Sequence, residues 1–291
     1  MKSLSLILLS LLISMCNSKP ATINNSKTSS IKPKTSKDDV PKFTIRYYLV
    51  PVTNESIPGL KSIISDDTLR VLYAINRVDK KHFLRQDTLV FPDTFLSDLK
   101  RYSPFPERVE VLKPIHKIIF YSYSIQAFAA YQNGELIRWG PVSMGKRSTP
   151  TPSGLLYTNW RSKRAISTID PDWIMNWYFN LDNLLGVSMH EYDLPGYPAS
   201  HACIRLSADD AFWLYNWADS WKLASSTEIA AYGTPVIVFG TYDFDKRKPW
   251  RNLEKNSEAL TLTGEVLKSE VQNYLPLILQ RQAQRDSCIS M

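Results

Sequence analysis

Two of the chain's four histidines, His190 and His201, fall within 13 residues of Cys203, in the run Met189-His190-Glu191-Tyr192-Asp193-Leu194-Pro195-Gly196-Tyr197-Pro198-Ala199-Ser200-His201-Ala202-Cys203-Ile204-Arg205. A free thiol titrates near about 8.5 and attacks as the thiolate, so a nucleophilic cysteine needs an imidazole or a helix N-terminus beside it. This stretch offers both. His190 ends a strand-like segment, and Cys203 lies four residues ahead of Ser207, which reads as a helix N-cap. The Pro195-Gly196-Tyr197-Pro198 segment reads as a loop that folds back to bring ring and thiol together. Backbone N–H groups around Ala202 and Cys203 would then face a carbonyl oxygen as an oxyanion hole. His190, His201 and Cys203 with Glu191 or Asp193 also have zinc-ligand chemistry, but no second Cys or His at metal spacing supports it. No metal or cofactor is implied. A Cys203–Cys288 disulfide is the plain alternative use of the thiol in an oxidising compartment.

The elements that must position these residues are mostly strands. Ile118–Tyr131 and Glu135–Ser143 are rich in Ile, Phe, Tyr and Val and flank Asn133-Gly134, a tight-hairpin signal. Thr149-Pro150-Thr151-Pro152-Ser153-Gly154 reads as a rigid loop. Further strand-like stretches follow at Leu155–Trp160, Trp177–Leu181, Gly186–His190 and Thr234–Gly240. Many short strands separated by turn signals predict a mainly β sandwich or barrel rather than a parallel α/β sheet. One helix is expected at Ala208–Trp221, capped by Ser207 with Asp210 in a capping-box arrangement, its Trp213, Trp217 and Trp221 stripe packing on the core. Upstream, residues 43–52 and 87–92 read as strands and Ser65–Ala74 as a short helix, a small α/β N-terminal lobe. Ala259–Gln284 has helical periodicity.

The chain's +7 charge sits mostly at one end. Residues 17–42 hold six Lys against Asp38 and Asp39, whereas residues 43–291 carry 28 basic against 26 acidic residues, so nucleic acid is excluded as a partner. Residues 1–15 read as a signal peptide, with Lys2 ahead of the apolar run Leu4–Ile13, too short to span a bilayer. Residues 17–42 are Ser, Thr, Asn, Lys and Pro, a tether unable to bury enough surface to fold.

Three resemblances follow from these residues. Leu12-Ile13-Ser14-Met15-Cys16 resembles a bacterial lipobox, with Met15 where a small residue is usual; it implies lipidation of Cys16 and an exported, membrane-anchored protein of the periplasm or cell envelope. Val71–Val78 with Asp87–Pro92 resembles the end of a LysM module, a small peptidoglycan-binding unit. Ser200-His201-Ala202-Cys203-Ile204-Arg205, preceded by His190 and by the Thr149–Gly154 loop, resembles the signature of the YkuD-type L,D-transpeptidases. The last implies a YkuD-like β-sandwich or barrel with one helix after the Cys motif. It also implies a cysteine acyltransferase of peptidoglycan stem peptides: Cys203 the nucleophile, His190 the base oriented by the Glu191 carbonyl, and His201, Ala202 and Cys203 around the oxyanion. Ser200 and Arg205 would support the site or bind substrate carboxylates. Ala202 stands where the family has Gly, so a positive φ there would strain the loop. The nine-residue spacer between His190 and Ser200 is shorter than in many members.

The expected organisation is therefore a signal peptide (1–15), a lipidated Cys16 and linker (16–42), an N-terminal lobe (43–114), a catalytic domain (115–242) and a partly helical extension (243–291). The acceptor is another stem or an envelope protein. An L,D-carboxypeptidase or hydrolase would use the same Cys203 with water, and a non-catalytic peptidoglycan-binding lipoprotein would not need it.

Overall fold

The computed structural model describes residues 44–55, 58–59, 65–167 and 170–289. The signal segment, Cys16 and the linker lie outside the described residues. Among those described, no helix is long and apolar enough to cross a membrane.

The N-terminal segment builds β1 (Tyr47–Pro51), α1 (Asp66–Asn76), α2 (Lys80–Phe83) and β2 (Thr88–Pro92). β1 and β2 pair antiparallel. Ser65 caps α1 by accepting from the Thr68 amide while Thr68 returns a bond to the Ser65 backbone. The LysM-like residues form the end of α1 and, after α2, the strand β2.

The body runs β3 (Ile118–Ser122), β4 (Ala127–Gln132), β5 (Glu135–Ser143), β6 (Gly154–Tyr157), β7 (Arg161–Ile166), β8 (Ile174–Asp182), β9 (Val187–Glu191), β10 (Ile204–Leu206), α3 (Ala208–Trp217), β11 (Lys222–Leu223), β12 (Ile229–Ala231) and β13 (Pro235–Phe239). Nine strands form one sheet in the order β6-β13-β3-β4-β5-β10-β9-β8-β7. The link between its two edge strands, β6 and β7, returns onto β8: the Asn159 amide donates to the Asn180 carbonyl at 2.8 Å, and the Asn180 amide to the Trp160 carbonyl at 2.9 Å. The mainly β expectation holds, as a curled sheet. The hairpin at Asn133-Gly134 has φ of 50° and 81°, the positive pair a type I′ turn requires.

Three element boundaries depart from expectation. Ile118–Tyr131 is two strands, because Tyr123–Gln126 reverses the chain. No Gly or Pro marks that turn; the buried Gln126 amide holds it, donating to the Tyr123 carbonyl at 2.6 Å and accepting from Met144 at 2.8 Å. Helix α3 stops at Trp217, since Ala218 turns extended. The expected three-tryptophan stripe therefore reduces to Trp213 and Trp217, stacked 5.0 Å apart at the helix flank, while Ala211 and Leu214 face the core. The C-terminal periodicity is two helices, α4 (Gly264–Gln272) and α5 (Leu275–Ile289).

Segments 43–114, 115–242 and 243–291 meet in one core. A single apolar cluster includes Ile45, Val71 and Val90, then Phe120 and Tyr131, then Leu267, Val271 and Ile278. A second cluster lies under β9 and β10, with Val187 and Met189 of β9, Ile204 and Leu206 of β10, and Leu214 of α3.

Candidate active site

Strand alternation sorts the site. β9 and β10 run parallel, Ile204 opposite Met189 and Arg205 opposite His190. Successive side chains on a strand point to opposite faces. Val187, Met189, Ile204 and Leu206 thus go to the core, while Ser188, His190, Cys203 and Arg205 share the other face. That face lines a cavity of about 400 Å³ walled by Trp160, Trp173, Tyr178 and Tyr192.

His190 is buried, its Nδ1 2.8 Å from the Glu191 carbonyl oxygen. A carbonyl only accepts, so Nδ1 carries the proton and Nε2 of the neutral ring keeps its lone pair. The ring stacks on Tyr178 at 6.4 Å and meets Tyr192 edge-on at 6.0 Å. Burial pushes its pKa down to about 4, with Arg205 adding to that and the Glu191 bond opposing it. Cys203 is half-buried and free, as is Cys288. The Ser188 hydroxyl donates to Cys203 Sγ at 3.2 Å. Ser188 belongs to no motif in the sequence, although its place two residues before His190 puts it on the same face.

The Cys203 loop is clamped by the Met144–Thr151 segment. Lys146 N donates to the Ser200 carbonyl at 2.8 Å, Ser200 N to the Met144 carbonyl at 3.0 Å, and Thr151 Oγ1 to the Ala202 carbonyl at 2.8 Å. Thr151 Oγ1 also accepts from Gly145 N at 2.9 Å. The Ser200 hydroxyl donates to the Cys203 carbonyl, so its single proton serves the loop. Ala202 has φ of 81°, the left-handed region costly to a residue with a Cβ. Among the described residues, the amides of Ala202 and Cys203 donate to no acceptor.

His201 lines the same cavity, with Nε2 2.8 Å from Lys146 Nζ and its ring 5.0 Å from that of Trp173. Its pKa lies below the usual value through burial, then Lys146, then Arg205. Arg205 lies 4.6 Å over the Tyr192 ring and has no ion pair among the described residues. Burial lowers its pKa, against Tyr192, Asp193 and Cys203, which raise it. The Glu191 side chain turns away, accepting from Asn176 at 3.1 Å and facing a separate groove of about 700 Å³. The Pro195–Pro198 loop, expected simply to fold back, is docked on the N-terminal segment: Leu194 N donates to Asp79 Oδ2 at 2.7 Å, and Gln86 Nε2 to the Pro195 carbonyl at 3.2 Å.

Residues 116–238 match the model of the YkuD family, described as the L,D-transpeptidase catalytic domain. The chain is 29% identical over 110 residues to L,D-transpeptidase 1 of Mycobacterium tuberculosis, covering 33% of this chain and 44% of that protein. It thus spans less than half the length of the curated relative it matches. A solved L,D-transpeptidase from Mycobacterium smegmatis shares 24% identity over 43% of this chain and 59% of its own, with a TM-score of 0.34. An L,D-transpeptidase from M. tuberculosis H37Rv shares 18% identity over 68% of this chain and 92% of its own, also at TM-score 0.34. Residues 116–238 of this chain are thus similar to the YkuD family of L,D-transpeptidase catalytic domains.

Proposed function

We propose that this protein is a peptidoglycan L,D-transpeptidase, a cysteine acyltransferase working through Cys203. The observation that carries the reading is the shared cavity face of Cys203 and His190, with Nδ1 engaged by Glu191 and Nε2 left to take a proton. In the first step Cys203 Sγ attacks the carbonyl carbon of the third stem residue, and His190 Nε2 takes the thiol proton. The tetrahedral intermediate places its oxyanion by the free amides of Ala202 and Cys203, where each donor is worth on the order of 10²- to 10³-fold in rate. Collapse breaks the C–N bond to D-Ala, which leaves with the proton from His190, and a thioester remains. An acceptor amine then attacks the thioester carbonyl, His190 takes its proton, and Cys203 is released as the thiol. The unpaired Arg205 guanidinium suits a substrate carboxylate.

The same reading places the protein outside the cytoplasm, with residues 1–15 as its signal and Cys16 as its lipid anchor. Its partners are then stem peptides, with an envelope protein as a further acceptor.

The test is intact-mass and product analysis with a purified disaccharide-tetrapeptide. A Cys203-linked acyl adduct with cross-linked dimer is expected, and neither with Cys203→Ala. Tripeptide alone would assign water as the acceptor. Cross-linking that persists in Cys203→Ala would sink the reading.

A further inference from the structure

The two nitrogens of His201 are provided for unequally. Nε2 meets Lys146 Nζ at 2.8 Å, whereas Nδ1 is buried and has no hydrogen-bond partner. An ammonium has three donors and no lone pair, so the contact requires the lone pair on Nε2 and puts the proton of a neutral ring on Nδ1. Buried donors are nearly always satisfied, so an orphan on a residue that lines the cavity calls for an acceptor that arrives with the reaction.

Lys146 is well placed for this. Gly145 bridges to Ser200, and the Lys146 amide is tied to the Ser200 carbonyl, one residue before His201. Lys146 forms no ion pair among the described residues, so no carboxylate competes for its ammonium. The other groups around the ring are Arg205 and Cys203 of the Cys motif and Trp173 ahead of β8. Lys146 and Arg205 both oppose a charged imidazole.

We propose that Lys146 is a positioning residue that holds His201 as the neutral Nδ1–H tautomer, so that its buried N–H donates to the negative charge formed on the substrate carbonyl oxygen when Cys203 attacks. The use made of the donor rests on the acyltransferase reading; the tautomer does not.

Long-range ¹H–¹⁵N spectra of the intact protein at pH 7 test the tautomer directly. A single Nδ1–H form is expected, and an Nε2–H or charged His201 would overturn the proposal without any variant. In Lys146→Met the His201 midpoint is expected to rise as the nearby charge is removed, burial still holding it down. The His190 signals should stay in place as the check on folding, and an unchanged His201 would overturn the assignment. Adduct formation with disaccharide-tetrapeptide should slow by about tenfold in Lys146→Met, less than the roughly 10²-fold of a deleted oxyanion donor because the ring stays and only its tautomer is released. An unchanged rate alongside a shifted His201 would overturn the donor role. If the wild-type protein forms no adduct, the acyltransferase reading fails while the tautomer stands on its own spectra.

Discussion

The Nδ1 atom of His190 lies 2.8 Å from the carbonyl oxygen of Glu191, its own neighbour in the chain. This bond orients the ring and fixes its tautomer, and burial keeps the ring neutral down to about pH 4. An unfolded chain protonates the same histidine near 6.5.

Between those two values the unfolded state binds more protons than the native one, so stability is complete above about pH 6.5 and falls as the pH drops towards 4. The full effect of His190 is on the order of 3 kcal/mol. Urea unfolding at pH 7 and pH 4.5 should show most of this loss, and His190→Gln should remove it from the pH dependence. A pH dependence identical in the variant would contradict the buried neutral ring.

Ser188 bears on the thiol itself. Its hydroxyl donates to Cys203 Sγ at 3.2 Å and ties the sulfur to β9. Ser188→Ala should lower stability by about 1 kcal/mol, one hydrogen bond's worth, read by urea unfolding. Equal stability would leave Ser188 a packing residue.

Ala202 carries a backbone angle that suits glycine. Left-handed backbone costs an alanine about 1–2 kcal/mol, and a β-branched residue more. Ala202→Gly is therefore expected to keep the melting temperature at or above that of the parent, and Ala202→Val to lower stability by about 2 kcal/mol or more. Calorimetry on the three proteins decides; a glycine variant well below the parent would show that the methyl's packing outweighs the strain.

Gly145 has no room for a side chain. A Cβ there would stand 2.2 Å from the Thr149 carbonyl oxygen and 2.5 Å from Thr151 N, both backbone atoms. Gly145→Ala must displace the clamp that holds Ser200 and Ala202, at about 3 kcal/mol. Weaker protection of the 144–151 amides in hydrogen exchange should accompany the loss; a variant with parental stability and protection would mean that the clamp gives way freely.

Much was legible in the chain before any coordinates. Cys203 and His190 stood out because a thiol and two imidazoles in one short run is a rare local composition. The Asn133-Gly134 turn and the Ser207 cap were legible because each depends on side-chain chemistry within a few residues. Ala202 was marked by its own departure from glycine. Less visible were features made by contacts across long separations. Nothing near Tyr123–Gln126 announced a turn, because the amide that stabilises it is satisfied by Met144. Trp221 matched the helical spacing of Trp213 and Trp217, but the helix stops at Ala218, where the following Asp219 is drawn to Lys117 and the Asp219 amide to Thr234.

The sequence by itself determined the reactive groups and their local conformations, since nucleophilicity, capping and turn preference are properties of residues and their immediate neighbours. Tertiary structure alone decided that Ser188 and Tyr178 share the cavity with the thiol, that Lys146 meets His201, and that Asp79 holds the 194–198 loop. Those contacts follow from strand register and from the burial of a shared core, and both are settled by the packing of segments far apart in the chain.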